Sequence, residues 1–248
     1  SDVYKRQIQM RSKALFLVSL IFFQAFLGIT SASTPQTIDI DGDISDWSQD
    51  TLLQTNSNGV DFSVTWDNEN LYFLWEGTDW SSDIDGADLF IYFNTSLGGS
   101  VLSKNWDFSH TLPFAADYGF VLENSNYNRM ITFDGSSWQE QTTVIELYTG
   151  WADNKVTEVS IPWSSIGNPT SFQFMAYSQW QNEGNVWASF PVENPSSSNG
   201  AETFTYAWNV EDINTPTTPS SLPIIETTEI EKVDDALNLA IVFHQHQP

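Results

Sequence analysis

The sequence predicts an all-β chain whose main domain, 34–210, is an antiparallel sandwich. Three observations predict it. Apolar residues alternate with polar ones in short runs, as in Val60, Phe62, Val64 and Trp66, the pattern of a strand with one buried face. Clusters of Gly, Asn, Asp and Ser separate these runs at turn-like spacing. No stretch of the domain sustains a 3.6-residue period, and only Trp163–Ile166, after Pro162, reads as a short helical turn. Many short strands so spaced make a sandwich.

Taken in order, the chain opens with a segment, 1–9, that is set aside. Ser1–Gln7 (SDVYKRQ) has the look of a translated library adapter, and Met10 is the expected start. Segment 10–33 reads as a secretory signal peptide. Arg11 and Lys13 form a basic head, Ala14–Ile29 an apolar run interrupted by Gln24, and Thr30-Ser31-Ala32-Ser33 a small-residue cleavage region. At about 16 residues the run is short for a spanning helix. An uncleaved membrane anchor is the alternative. The expected location is secreted, extracellular, with no membrane association once the leader is removed.

Within the body, Asp67-Asn68-Glu69-Asn70 turns the first strand into Leu71–Glu76, where Leu71, Phe73 and Trp75 share a face. Further strands are expected at Leu89–Phe93, Tyr118–Leu122, Met130–Phe133, Thr142–Tyr148, Thr157–Ile161, Phe172–Tyr177, Val186–Phe190 and Thr203–Trp208. Segment 211–234, rich in Thr, Pro, Ser and Glu, reads as a linker. In 235–248, Leu237–Phe243 (LNLAIVF) is a continuous apolar run, typical of a strand buried on both faces of a parallel sheet. It is expected to be the first strand of a truncated (β/α)-barrel.

Composition narrows the function. Aromatic residues make up 15% of the chain, with 11 Trp, and hydrophobic residues 40%. That is ample for a core and too aromatic for a disordered chain. No Cys is present, so no disulfide contributes. The formal net charge is −24; a nucleic-acid backbone or an anionic membrane surface would be repelled. Neutral glycans and cations such as calcium stay compatible with it, and an acidic surface also simply keeps a secreted protein soluble.

Several segments resemble carbohydrate-binding module family 9 and its DOMON-like relatives. They are Ile40–Trp47 (IDGDISDW), Val64–Phe73 (VTWDNENLYF), Leu89–Asn94 (LFIYFN), Glu158–Gly167 (EVSIPWSSIG) and Phe172–Gln179 (FQFMAYSQ). The tail Phe243–Pro248 (FHQHQP) resembles the first motif of glycoside hydrolase family 57, whose members act on α-glucans by a retaining double displacement. The resemblance implies a sugar-binding module ahead of an α-glucan hydrolase. It places no catalytic residue here, because in that family the nucleophile and acid come from later motifs; this stretch alone is expected to be inactive.

Individual residues carry these expectations. Trp47, Trp66, Trp75 and Trp163 sit at pattern positions that face a sandwich core. Trp80, Trp106, Trp151 and Trp180 fall in loops or at strand ends, where an exposed indole can stack on the apolar face of a sugar. In family 9 modules two Trp side chains sandwich a sugar. Trp80 matches the first in place, but the loop matching the second, Pro191–Glu202, has no aromatic. By resemblance, His246 with Gln247 and Pro248 would line the subsite next to the scissile bond, and His244 joins His246 and Gln247 as a candidate substrate-binding residue. Two acidic turns offer oxygen ligands for calcium, with Asp41 and Asp43 in one and Asp83 and Asp85 in the other; solvated turn formers are the plainer reading. His110, Met130 and Met175 recommend themselves for a haem only because some DOMON domains use His and Met ligands. Asn94-Thr95-Ser96 is a glycosylation sequon. The expected function is a secreted carbohydrate-binding module that tethers a family 57-like hydrolase to α-glucan or another polysaccharide. A non-binding spacer and a haem or redox domain are the alternatives.

Overall fold

Alternating apolar residues fold here into two antiparallel sheets that share one core. The computed structural model describes residues 36–77, 87–96, 98–105, 108–124, 127–141, 145–149, 155–180, 184–196, 200–214 and 219–223. In chain order the strands are β1 (Leu52–Thr55), β2 (Asp61–Trp66), β3 (Asn70–Glu76), β4 (Ala87–Asn94), β5 (Ser100–Leu102), β6 (Thr111–Ala116), β7 (Tyr118–Asn124) and β8 (Tyr127–Phe133). There follow β9 (Trp138–Glu140), β10 (Glu146–Thr149), β11 (Val156–Pro162), β12 (Phe172–Trp180), β13 (Val186–Phe190), β14 (Tyr206–Val210) and β15 (Ser220–Pro223). Among the described residues the helical elements are single 3-10 turns, one of them the expected Trp163–Ile166.

One sheet runs β1-β2-β3-β11-β10, the other β15-β14-β12-β4-β7-β8-β9 with β13 also paired to β12. All of these pairings are antiparallel. Phe62, Val64, Trp66, Leu71, Phe73 and Trp75 of the first sheet meet Phe93, Phe120, Phe174 and Phe190 of the second. The Phe73 ring lies 5.7 Å from that of Phe174 and 6.0 Å from that of Phe93. Truncating such a ring to Ala costs about 3–5 kcal/mol in a packed core, so this aromatic column is the main cohesive element.

The second sheet is buried on both faces. Phe90, Tyr92, Val121, Ile131, Met175 and Tyr177 point away from the shared core and pack with Leu112, Phe114 and Phe204. The β5–β6 hairpin supplies this outer layer. Double-sided burial explains why Leu89–Phe93 and Phe174–Tyr177 read as unbroken apolar runs instead of alternating ones.

Two expectations change. Trp66, Trp75 and Trp163 are core residues as expected, but Trp47 is half-buried and lies outside the shared core, against the other face of the first sheet. Its indole N–H donates to Glu158 Oε1 at 2.8 Å. The expected linker at 211–234 also starts too early, since Ser220–Pro223 pairs with β14 as an edge strand. A sheet edge tolerates Pro223 because no ladder bond is needed on its outer side.

Candidate functional site

Trp180 is the last residue of β12 and is 39% exposed. Its exposure follows from alternation. Gln179 points into the outer layer, where its Oε1 meets His110 Nε2 at 2.9 Å, so Trp180 shares the face of Ala176 and Ser178. That end of the core is already closed by Phe62, Trp75 and Phe190, whose rings stand 4.9–5.2 Å apart. No room is left for a further indole, and Trp180 packs instead beside Trp187 of β13, ring centroids 6.1 Å apart.

Backbone bonds between the end of β12 and the residues just before β13 hold the pair. Trp180 N–H donates to Asn185 C=O and Gly184 N–H to Trp180 C=O, both at 2.9 Å. Gly184 has φ +66°, and any Cβ there would run into the Phe108 ring, so glycine is required twice over. Phe108 is itself 37% exposed. Asn58, in the β1–β2 turn, donates through Nδ2 to Trp187 C=O at 3.2 Å and ties the first sheet to this end.

Trp80, Trp106 and Trp151 lie outside the described residues, as do Asp83, Asp85, His244, His246 and Gln247. Some of the described residues that border these gaps make contacts of their own. Ala87 is the register partner of Trp180, Gly77 N–H donates to Lys155 C=O at 2.8 Å, and Phe108 rests on Gly184. Sequence reasoning found Trp180 but missed Trp187 and Phe108. Two Trp separated by the mostly polar stretch QNEGNV were the available signal.

Carboxylates of the acidic turn around Asp41 and Asp43 accept from the turn's own backbone, although Asp46 Oδ1 is buried without a hydrogen bond. Asp41 Oδ1 accepts from Asp43 N–H at 2.8 Å, Asp43 Oδ1 from Ser45 N–H at 3.0 Å and Asp46 Oδ2 from Asp39 N–H at 2.8 Å. Among the described residues no group of three His, Cys, Asp or Glu side chains is placed to hold a metal ion. The turn docks through Glu158, a carboxylate fully buried on β11. Glu158 accepts from Gly42 N–H at 2.6 Å as well as from Trp47. Burial, the largest cause, and the nearby Asp46 and Asp41 push the Glu158 carboxyl above the usual glutamate range, while the two hydrogen bonds pull it back.

His110 is wholly buried in the outer layer. Its Nδ1 accepts from Glu202 N–H at 3.0 Å, which leaves Nε2 to carry the proton and donate to Gln179. Desolvation holds its pKa below the ordinary histidine value. Both ring nitrogens are engaged, and Met130 and Met175 lie on opposite faces of the second sheet, so these three residues do not converge as axial ligands. The loop after β13, where a second sandwiching Trp was looked for, is built around buried Asn194. Its Oδ1 accepts from Thr205 and Tyr206 N–H, and its Nδ2 donates to Tyr206 C=O, each at 2.9 Å.

These features belong to an all-β protein of the antiparallel sandwich class with an aromatic-bearing end. No protein-family model, curated protein or solved structure matches the chain.

Proposed function

We propose that this chain is an exported carbohydrate-binding module of the family 9 or DOMON-like kind, which holds a neutral polysaccharide such as an α-glucan against a family 57-like hydrolase. The observation that carries the reading is Trp180, an indole held 39% exposed at the end of a central strand beside Trp187. An immobilised indole offers a flat apolar face to the C–H face of a pyranose. The net charge of −24 favours neutral partners over polyanions.

The test titrates the full chain with maltooligosaccharides and amylose while following Trp emission. A saturable change that is lost in Trp180→Ala supports the reading. No saturable response to any glycan in a broad panel sinks it. One observation favours a second reading, a non-binding spacer: the loop after β13 carries a structural Asn194 in place of a second sandwiching aromatic. A binding-negative chain whose removal destabilises the parent enzyme would establish that alternative.

A further inference from the structure

At the other end of β12 from Trp180 the second sheet carries a row of amides. Gln173 is the register partner of Asn94 on β4 and of Asn209 on β14, and residues directly opposite one another share a face. Each amide stands two positions beyond a residue of the outer layer: Tyr92, Met175 and Ala207 are buried there, whereas Asn94, Gln173 and Asn209 are half-buried. Asn94 Nδ2 donates to Gln173 Oε1 at 3.0 Å. The row lines a cleft of about 370 Å³, with Phe172 and the hydroxyls of Thr95, Ser96 and Ser171 beside it. That volume falls in the range of small-molecule clefts, ~300–1,000 Å³.

None of these residues is ionisable, in a chain with 32 acids and 8 Lys or Arg. The neighbouring acid, Asp117, is buried and spends its carboxylate on its own loop. It accepts from Thr95 N–H at 2.9 Å and from the Thr95 and Ser96 hydroxyls, both at 2.7 Å. Those two hydroxyls have given away their protons and keep lone pairs for accepting. Amides both donate and accept. A sugar hydroxyl does the same, so mixed donors and acceptors around an apolar ring edge match a polyol. An anionic ligand would find no cation in the cleft, and a cationic one no carboxylate.

We propose that this amide row is a second binding site, taking a neutral pyranose unit of a saccharide. It shares a ligand class with the aromatic end but none of its residues, so either can fail alone. The test uses the full chain, ¹⁵N-labelled, and reads the side-chain NH₂ signals of Asn94, Gln173 and Asn209 during titration with maltotriose and other neutral oligosaccharides. Glucuronate and glucosamine serve as charged controls. The expected result is saturable movement of these signals with a neutral saccharide, in wild type and in Trp180→Ala alike, at least tenfold weaker in Gln173→Thr. Asn209→Ser, on the neighbouring strand, provides the same weakening where Gln173→Thr fails to fold.

Stationary amide signals with every neutral saccharide would overturn the proposal. So would equal movement with the charged controls, or loss of the movement in Trp180→Ala, which would assign it to the other end. Amide shifts without any response at Trp180 would leave this site standing and remove the aromatic platform.

Discussion

Glu158 offers the sharpest test of how this fold is fastened. Its two carboxylate oxygens each take one buried donor from the N-terminal segment, Gly42 N–H at 2.6 Å and the Trp47 indole at 2.8 Å. Glu158→Gln keeps the shape but offers only one oxygen, so one donor faces an NH₂ group. An unsatisfied buried donor costs about 1–3 kcal/mol. Against this, the substitution removes a buried charge and its repulsion from Asp41 and Asp46, and Asp41 is exposed, where such terms are screened to below ~1 kcal/mol. The lost hydrogen bond therefore wins at low pH, where the protonated carboxyl carries no burial cost for its charge, with a net loss of about 1–2 kcal/mol; at neutral pH that burial cost, the largest influence on the group, offsets part of the loss. For a domain of this size a net loss of that order is a drop of roughly 2–8 °C in Tm.

Urea or thermal unfolding followed by Trp emission measures it. The pH dependence adds a second check. The folded carboxyl holds its proton to higher pH than the unfolded one, so this group's contribution is largest below the unfolded pKa and declines as pH rises through the folded value. The deficit of Glu158→Gln relative to wild type is accordingly larger at pH 4 than at pH 8. A variant as stable as wild type, or more so, would refute the reasoning and show that burying the charge outweighs the bonds it makes.

His110 works in the opposite direction. Its folded pKa lies below the unfolded value, so the stability it contributes is full above the unfolded pKa, near 6.5, and is lost as pH falls through the folded one; His110→Gln should flatten the stability profile on the acid side of that value. Gly42, at φ +85°, packs against the Tyr148 ring with no space for a Cβ. Gly42→Ala should cost about 2 kcal/mol or more, visible as an early loss of Trp47 emission. Trp180→Ala should lower saccharide affinity about tenfold or more, the size of an aromatic stacking and burial loss, while unfolding stays within about 1–2 kcal/mol of wild type because the indole closes no core.

The interior strands were legible because their side chains obey a burial pattern. In Val60–Trp66 and Leu71–Trp75 every second residue is a large apolar side chain that enters the shared core, and the structure places β2 and β3 there, although Ser63, Thr65, Tyr72 and Leu74 on the other face are buried as well. Burial of the second sheet on both faces was written in Leu89–Phe93 and Phe174–Tyr177, yet an unbroken apolar run does not say what covers it. The covering layer is a hairpin of three and six residues, β5 and β6, whose Val101 and Leu102 stay exposed. Strands that short carry too little pattern to stand out. Trp47 shows a different limit: its position marks it as packed, but not against which face.

The site was legible to the same degree. Trp180 lies beyond the last core residue of its strand and could be singled out. Trp187 sits in VWASF, where every residue looks equally interior. The partnership of Glu158 with Gly42 spans 116 positions, and the amide row joins three strands that are far apart in sequence. No local reading brings those residues together, because register between distant strands is set by the fold.

The two proposed sites differ in what they do to polymer binding. Gln173 and Trp180 are seven residues apart on one strand, roughly 23 Å at strand rise, and alternation sets them on opposite faces of the sheet. A short oligosaccharide therefore engages one site at a time. A long flexible glucan can occupy both, and the second contact is then made at the effective concentration set by the intervening chain. With two sites, affinity per chain for amylose exceeds that for maltotriose by well over the ratio of their glucose units. Removing either Trp180 or Gln173 should bring the two affinities per unit close together. A polymer preference that survives the loss of Gln173 would mean that the aromatic end reads chain length by itself.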